Sequence, residues 1–442
     1  MARGIPWFCL VALCLGVTSG GLAAGRSVNA PNPEAVSAVS AGERAEANAA
    51  WWGFDPGDST EFLQAAIDSG APKVVVPYVG SPWVVRPILL RGDLEVVFEP
   101  GVLVLAKEGE FKGKGDSLFG VANADNLTIR GYGATLRMRK ADYQSDAYAR
   151  AEWRMTLSMV GCKNVLVEGL RLESSGGDGI YIGATGERRY CEDVVIRDVV
   201  CHDHHRQGIS VITAKNLLIE NCVMSGTDGT APRAGIDLEP NSANEKMENV
   251  VVRNCVMENN SGAGILVYFK PLSRETDSVS VLFENCYVKG GKDTGIGVGA
   301  IKDDGPQGTI EFRNCTVEGA AKGGIYVYDK SPDSARVRFV DCKWRDVGTA
   351  IPKLMDKRTP LLLDLRRPSV AAKLGGIDFE NCYVYDEADR PVLRIEPRKG
   401  EHAVYDLQGE IYVCNPHGAR TELNFEAVDV GLKATLLCPD GK

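Results

Sequence analysis

The sequence is short of positive charge, of long apolar runs and of histidine. Its 442 residues include 50 Lys and Arg, 59 Asp and Glu, and only 5 His, for a formal net charge of −9. That balance argues against binding of nucleic-acid phosphates or of an anionic membrane surface. Beyond the amino terminus no stretch approaches the ~18 uninterrupted apolar residues of a membrane span. No Cys-x-x-Cys pair occurs among the 13 cysteines, so we predict no metal site and no bound cofactor.

The amino terminus has the pattern of a secretory signal over residues 1–25. Arg3 supplies the positive start, Phe8 to Val17 form a short apolar core, and small residues follow at 21–25. We therefore expect a secreted or periplasmic protein. Residues 26–50 are rich in Ala, Ser, Asn and Glu and show neither strand alternation nor a strong apolar face. They are predicted to form a flexible leader.

Glycine is abundant, at 49 residues, and much of it belongs to a repeat. A Gly-Ile strand recurs with glycine spacings of 29, 27, 29, 31 and 29, and an Asn-Cys or Asp-Cys pair recurs between these strands. The glycines of the first ladder are Gly179, Gly208, Gly235, Gly264, Gly295 and Gly324, and the cysteines of the second are Cys222, Cys255, Cys286, Cys315, Cys342 and Cys382.

A period near 29 residues predicts a solenoid, because each unit must stack on its neighbours to bury its apolar face. The strands are short and β-branched, and no helix-length segment separates them, so helical and leucine-rich repeats are disfavoured. Residues 51–400 are predicted to form about a dozen coils, and residues 401–442 to form cap strands at the carboxyl end. Repeated cysteines are expected to stack as packed thiols inside the solenoid, and the Asn residues to form a turn ladder. Cys414 and Cys438 fall outside the register of the repeat, so a disulfide between them is one alternative.

This pattern resembles the right-handed parallel β-helix of the pectate lyase and polygalacturonase superfamily. The segment from Asp58 to Asp68 resembles the short helix that caps the amino end of such solenoids, with Phe62, Leu63, Ala66 and Ile67 as its apolar face. The resemblance implies an all-β fold, a single-stranded right-handed parallel β-helix with an N-terminal capping helix. It does not define the chemistry, because the superfamily contains hydrolases, lyases, epimerases and proteins without catalytic activity.

Strand alternation predicts which side chains of each Gly-Ile strand face outward. The Ile and the apolar residue two positions later should point inward, so the residues between and after them should point outward. The outward row then contains two carboxylates, Asp237 and Glu239, with small residues on one side and tyrosines beyond. Tyrosine rings with hydroxyl tips suit the apolar faces and hydroxyl edges of sugars, although β-propensity alone also favours tyrosine in strands.

Three segments at the starts of successive coils are expected to converge, since neighbouring coils lie about 4.8 Å apart. They bring Asp178, the His204 to Gln207 segment and Asp237 to one patch roughly 10 Å long. The tripeptide from Asp178 to Ile180 resembles the second half of the Asn-Thr-Asp-Gly-Ile motif of polygalacturonase-type glycosidases, whose Asp is catalytic. The chain has no Asp-Asp pair on the next coil, no Gly-His-Gly and no Arg-Ile-Lys, so the resemblance does not imply pectin hydrolysis.

We interpret this patch as the site of a carbohydrate-active enzyme, in the first place a glycoside hydrolase. Such an enzyme needs one carboxylic acid to protonate the leaving oxygen and a second carboxylate to activate water or attack carbon. The spacing of the carboxylates favours an inverting pair. The predicted catalytic residues are Asp178, His205, Arg206, Asp237 and Glu239, and the predicted substrate-binding residues are Tyr181, His204, Gln207, Asn241, Tyr268, Lys270 and Tyr326.

Two alternatives remain open from the sequence. In a polysaccharide lyase or uronate epimerase, Arg206 or Lys270 would neutralise the uronate and His205 would remove a proton, or Ca²⁺ would bind Asp178 and the outward carboxylates. A glycan-binding β-helix without catalytic activity would use the tyrosines. In each case the expected partner is a polysaccharide and the expected state is a monomer.

Overall fold

The computed structural model describes residues 29–349, 358–397, 404–423 and 430–437, whose strands form two parallel sheets wound into a right-handed solenoid. One sheet, which we call the groove sheet, has 12 strands in the described residues, and the other, the broad sheet, has 22. Each coil contributes one groove-sheet strand, for example Ile180–Gly183, and then two broad-sheet strands, Cys191–Arg197 and Val200–His202. The all-β, single-stranded parallel β-helix of about a dozen coils is therefore confirmed.

The element bounds are as follows. The groove sheet contains Ile88–Leu89, Phe119–Ala122, Leu157–Val160, Ile180–Gly183, Ile209–Val211, Ile236–Leu238, Ile265–Tyr268, Thr294–Ile301, Gly323–Lys330, Leu361–Leu365, Leu393–Pro397 and Thr421–Leu423. The broad sheet contains Glu46–Asn48, Lys73–Val76, Trp83–Val85, Leu94–Phe98, Leu103–Ala106, Asp125–Arg137, Lys163–Glu173, Cys191–Arg197, Val200–His202, Ala214–Glu220, Val223–Ser225, Met247–Arg253, Val256–Glu258, Val279–Glu284, Tyr287–Lys289, Gly308–Arg313, Thr316–Glu318, Arg336–Val340, Lys343–Arg345, Leu374–Tyr385, Val404–Cys414 and Val430–Leu436. The helices are Pro33–Ser40, Thr60–Ile67 and Lys140–Tyr143, with a 3₁₀ turn at Ala49–Trp51.

The repeated glycines lie where the groove sheet approaches the side chains of the broad sheet most closely. A Cβ atom on Gly208 would lie 2.7 Å from Cβ of Met224, and one on Gly295 would lie 2.2 Å from Cγ1 of Val317. The Ile after each glycine is buried in the core, as Ile209 shows. Glycine recurs at these positions because a side chain would collide with the core packing of the same coil.

We predict that Gly295→Ala lowers the free energy of unfolding by ~1–3 kcal/mol or more, because its methyl group has no space beside Val317. Gly186→Ala is the matched control, since nothing lies within 4 Å of the added Cβ there. Urea unfolding of the two variants checks this. Equal stabilities would mean that the coil glycines are not required for packing.

The cysteine and asparagine ladders have the predicted roles. Nine described cysteines, from Cys162 to Cys382, are buried and unbridged. Asn254 and its counterparts sit at the bend between the two broad-sheet strands with positive φ, which Asn tolerates better than most residues. The Asn285 side chain donates to Asn254 at 3.2 Å, and Asn314 donates to Asn285 at 2.8 Å. Cys438 lies outside the described residues, so the structure does not address its pairing with Cys414.

The prediction of a flexible leader over residues 26–50 is wrong from residue 29 onward. Pro33–Ser40 is a helix that buries Ala35 and Val39, and Glu46–Asn48 pairs with Lys73–Val75 as a strand of the broad sheet. Ala35 and Val39, at positions i and i+4, are sufficient to hold this helix because the open end of the solenoid provides an apolar surface on which they pack. The capping helix Thr60–Ile67 is confirmed.

The solenoid also continues past residue 400, where cap strands were predicted to begin. Val404–Cys414 pairs in parallel with Leu374–Tyr385, and Val430–Leu436 pairs with Val404–Cys414 in turn. These strands extend the broad sheet because their apolar residues keep the inward register of the preceding coils.

The proposed signal at 1–25 lies outside the described residues. Among the residues described, no helix is long and apolar enough to cross a membrane.

Candidate functional site

The predicted patch lies on three consecutive strands of the groove sheet. Ile180, Ile209 and Ile236 are in register and buried, which places Tyr181, Ser210 and Asp237 in register on the opposite face. The row predicted from strand alternation is therefore present. Asp178 and Glu239 flank it at opposite ends of their strands.

The middle coil links the two outer coils through Arg206 and Gln207. The Gln207 backbone N–H donates to Oδ1 of Asp178 at 3.0 Å, and its side-chain amide donates to Oδ2 of Asp237 at 2.9 Å. The Gln207 side-chain oxygen accepts from the Ala234 N–H at 3.0 Å, which fixes the orientation of the amide. Gln207 is fully buried and positions both aspartates. It therefore holds the site together, and its predicted contact with substrate is not available in this structure.

Arg206 stands between two carboxylates. Its Nη2 donates to Oε2 of Glu239 at 3.3 Å, and its Nη1 lies 3.9 Å from Oδ2 of Asp178. The Arg206 side chain is 15% exposed and that of Glu239 is 31% exposed, whereas the Asp178 side chain is fully buried. A ligand in the groove therefore meets Glu239 and Arg206 first, with Asp178 and Asp237 directly behind them.

Burial of Asp178 and Asp237 differs from the sequence prediction, which placed all three carboxylates openly on the groove. The middle coil packs against them: Gln207 donates to both aspartates, and Arg206 lies 3.9 Å from Oδ2 of Asp178. Strand alternation predicts the direction of a side chain. It does not predict the cover provided by the neighbouring coil.

The electrostatics of the site favour a proton on the carboxylates. Burial raises the pKa of Asp178 to about 6, and the Arg206 guanidinium opposes that shift. Burial raises the pKa of Asp237 well above its ordinary value, and the adjacent Glu239 carboxylate raises it further. Both effects favour the protonated form of Asp237.

The two histidines of the patch do not face the groove. His204 is fully buried, and its Nδ1 lies 2.9 Å from Oγ of Ser175, so the predicted substrate contact is not available to it. His205 is half-buried, with Nδ1 2.7 Å from the Gln144 side-chain amide and Nε2 2.9 Å from Oγ1 of Thr230. Both of its ring nitrogens have partners, which does not favour the predicted role as a base.

The tyrosines lie farther along the same sheet. Tyr326 is three coils from Asp237 in the register, or roughly 14 Å away. Its ring stacks on that of Tyr328 at 4.8 Å, and its hydroxyl donates to Asp364 at 2.9 Å. The Arg366 guanidinium lies 3.9 Å above the Tyr328 ring. Sequence reasoning missed Arg366 because it lies in a loop with no repeat.

The remaining predicted contacts lie outside the network around Arg206. Tyr181 is partly buried beside Gly183, and burial raises its pKa to about 12. Tyr268 is partly exposed, and Asn241 and Lys270 are exposed beyond the ends of their strands. The described residues contain no group of three or more His, Cys, Asp or Glu side chains that could hold a metal ion.

Sequence comparison gives one family model and two curated relatives. A model of the right handed beta helix region matches residues 153–299. An uncharacterized protein of Bacillus subtilis (strain 168), YclG, is 29% identical over 202 residues, which make up 41% of this chain and 34% of the relative. The chain thus spans about a third of the length of this curated relative.

Solved structures resemble the chain over most of its length. The tailspike protein of E. coli bacteriophage HK620, in complex with a pentasaccharide, has a TM-score of 0.60 at 13% identity, over 85% of this chain and 67% of the other. The Yersinia enterocolitica family 28 exopolygalacturonase has a TM-score of 0.51 at 14% identity, over 90% and 78%. Sequence identities this low support a shared fold and nothing further. This chain has the right-handed parallel β-helix fold that the resemblance of its repeat implied.

Proposed function

We propose that this protein is a polysaccharide-acting glycoside hydrolase. The observation that carries the proposal is the network in which Arg206 and Gln207 join Asp178, Asp237 and Glu239 across three coils. The fold likeness to an exopolygalacturonase and to a tailspike that holds a pentasaccharide supports a carbohydrate as the ligand.

Glu239 and Asp237 are the proton donors of the proposed reaction. The proton comes from Asp237, whose pKa lies well above its ordinary value, and passes through Glu239, the member exposed to the groove. Its carboxyl group delivers that proton to the glycosidic oxygen, and Asp237 behind it replenishes it. Arg206 fixes the Glu239 carboxylate and stabilises it once the proton has left.

Asp178 is the second carboxylate. It contacts the same Arg206 guanidinium as Glu239, so Oδ2 of Asp178 and Oε2 of Glu239 are at most about 10 Å apart, an upper limit that admits the ~6.5–9.5 Å of an inverting pair. Its pKa near 6 makes it an ionised base at neutral pH. Its side chain is fully buried, so the reaction requires water to enter beside the Arg206 side chain, which is 15% exposed. Water activated by Asp178 attacks the anomeric carbon, and the product has the inverted configuration.

The environment of Arg206 argues against a lyase. Elimination requires a cation free to neutralise the substrate's uronate, whereas Arg206 is surrounded by Asp178, Asp237 and Glu239. Its charge is already balanced within the protein.

A panel of neutral and acidic polysaccharides tests the proposal, with products detected both as reducing ends and by ultraviolet absorbance. We expect reducing ends without absorbance, and inverted anomers by NMR of early products. Unsaturated products would indicate a lyase. Tight binding without any product would indicate a glycan-binding protein.

The pH profile gives a separate prediction. Activity is expected to rise as the pH passes about 6, because Asp178 must ionise to act as a base. It is expected to fall at higher pH, when Asp237, whose pKa lies well above its ordinary value, loses its proton. A kcat/KM profile from pH 4 to 9 checks this. A profile without an acidic limb near pH 6 would contradict the role of Asp178.

Export is part of the same proposal. If residues 1–25 act as a secretory signal, the protein recovered outside the cytoplasm should begin after them. Cell fractionation followed by amino-terminal sequencing checks this, and intact protein confined to the cytoplasm would contradict it.

A further inference from the structure

A second site lies beside the proposed catalytic network, where the segment 138–154 interrupts the coils. This insert and the coil turns around Gly176, His205 and Thr230 enclose a cavity of about 500 Å³. That volume falls within the range of small-ligand pockets, ~300–1,000 Å³. The cavity adjoins the network, since His205 precedes Arg206 and Gly176 lies two residues before Asp178 in the chain.

The insert is held rigidly on the coils. Arg154 is fully buried, and it donates to the backbone oxygens of Phe111 at 2.8 Å and Ala149 at 3.0 Å. Its guanidinium also lies 5.5 Å and 5.6 Å from the ring centres of Tyr143 and Tyr148. The buried cation thereby ties both ends of the insert together.

Two glycines of the coil allow the insert to approach this closely. A Cβ on Gly176 would lie 2.6 Å from the Tyr143 ring, and one on Gly177 would lie 2.7 Å from the Glu152 backbone oxygen. Arg154 and Gly176 also form an antiparallel bridge. The cavity is therefore formed before any ligand binds, which lowers the entropic cost of binding.

The lining of the cavity suits a sugar ring that carries negative charge. Trp153 is 49% exposed, and an exposed indole is a platform for the apolar face of a sugar. Lys114 and Arg150 also line the cavity, are exposed, and make no ion pair within the described residues. Glu152 is the one acidic side chain of the lining. The lining therefore carries a net positive charge.

The neighbouring network has the opposite sign, because three carboxylates there surround one guanidinium. An anionic substituent of the substrate is repelled at the bond to be cleaved and attracted into the cavity. We propose that this cavity is a subsite for an acidic sugar residue of the substrate, so that the protein acts on a uronate-containing or otherwise anionic polysaccharide. The substrate class rests on the proposed function, but the binding of an acidic sugar in the cavity does not.

Binding of an oligogalacturonate of defined length, compared with a neutral malto-oligosaccharide of equal length, tests the inference on the full chain by calorimetry. We expect the uronate to bind at least ten-fold more tightly, and the difference to shrink as salt is raised. Lys114→Gln combined with Arg150→Gln should abolish the preference. Trp153→Ala should weaken binding of the uronate about ten-fold. Lys322→Gln combined with Lys343→Gln, both exposed and four or more coils away from His205, should change neither.

The outcomes separate this inference from the proposed hydrolase. Equal affinity for the two oligosaccharides, or a preference that survives loss of Lys114 and Arg150, would overturn the acidic-sugar subsite even if a neutral polysaccharide were hydrolysed. A charge-dependent preference without any cleavage would support the subsite and count against the hydrolase. Thermal unfolding at wild-type temperature shows that each variant has kept its fold.

Discussion

Glu239→Gln is expected to lower turnover by ~10²–10⁴-fold, the range over which a positioned general acid contributes to catalysis. Glutamine keeps the shape of the side chain but cannot pass on the proton of Asp237. The side chain is partly exposed and lies beside Arg206, so its replacement should change the free energy of unfolding little. The measurement is kcat on the polysaccharide identified by the panel, together with urea unfolding.

Glu258→Gln is the control for this variant. Its side chain is 37% exposed, close to the 31% of Glu239, and it lies 3.8 Å from Lys289 on the broad sheet. It should leave turnover unchanged. If Glu239→Gln retained wild-type turnover as well, the carboxylate network would not be the catalytic centre.

Asp178→Asn is expected to stabilise the protein at pH 7 by up to about 3 kcal/mol while impairing catalysis. The unfolded carboxyl ionises near 3.8, whereas the folded one keeps its proton until about pH 6. As the pH rises through that window the unfolded chain releases the proton first, so ionisation of Asp178 favours unfolding. Asparagine resembles the protonated acid and removes this penalty.

The stability difference between Asp178→Asn and the wild type should therefore be largest above pH 6 and vanish below pH 3.8. Urea unfolding at pH 4, 5.5 and 7.5 measures it. Asp329→Asn is the contrasting control: Asp329 is also fully buried, but it accepts from the backbone N–H groups of Arg366 and Arg367 and from the Arg367 side chain. That change should destabilise the protein. A loss of stability in both variants would show that Asp178 is held as a structural ion pair.

The two stability effects have a common physical basis. Asp329 accepts hydrogen bonds from two backbone N–H groups and an arginine side chain, whereas Asp178 accepts one from a backbone N–H and shares one more distant guanidinium with Glu239. A buried carboxylate with few donors lowers the free energy of unfolding of the protein that retains it. That is the pattern expected where a raised pKa serves a reaction.

The sequence by itself determined the fold, because a solenoid repeats its packing at every coil. Each Gly-Ile strand has the same requirement: a glycine where the two sheets approach and an Ile in the core. The positions of Asn254 and Cys255 are occupied by equivalent residues in the other coils, with the same period. Those signals are local and recur many times, so they survive variation in any one coil. The ends of the solenoid were mispredicted because there the signal is weak: helix Pro33–Ser40 has only Ala35 and Val39 to bury.

Sequence periodicity also predicted which residues meet at the site, since the register brings Asp178, Arg206 and Asp237 onto adjacent coils. Only the tertiary structure decided which of them a ligand can reach. Burial of Asp178 and Asp237, burial of His204 and the close approach of Tyr143 and Glu152 to Gly176 and Gly177 all depend on contacts with neighbouring segments. The exposure and the pKa of a side chain depend on the groups that surround it. In this protein those groups belong to an insert and to a neighbouring coil.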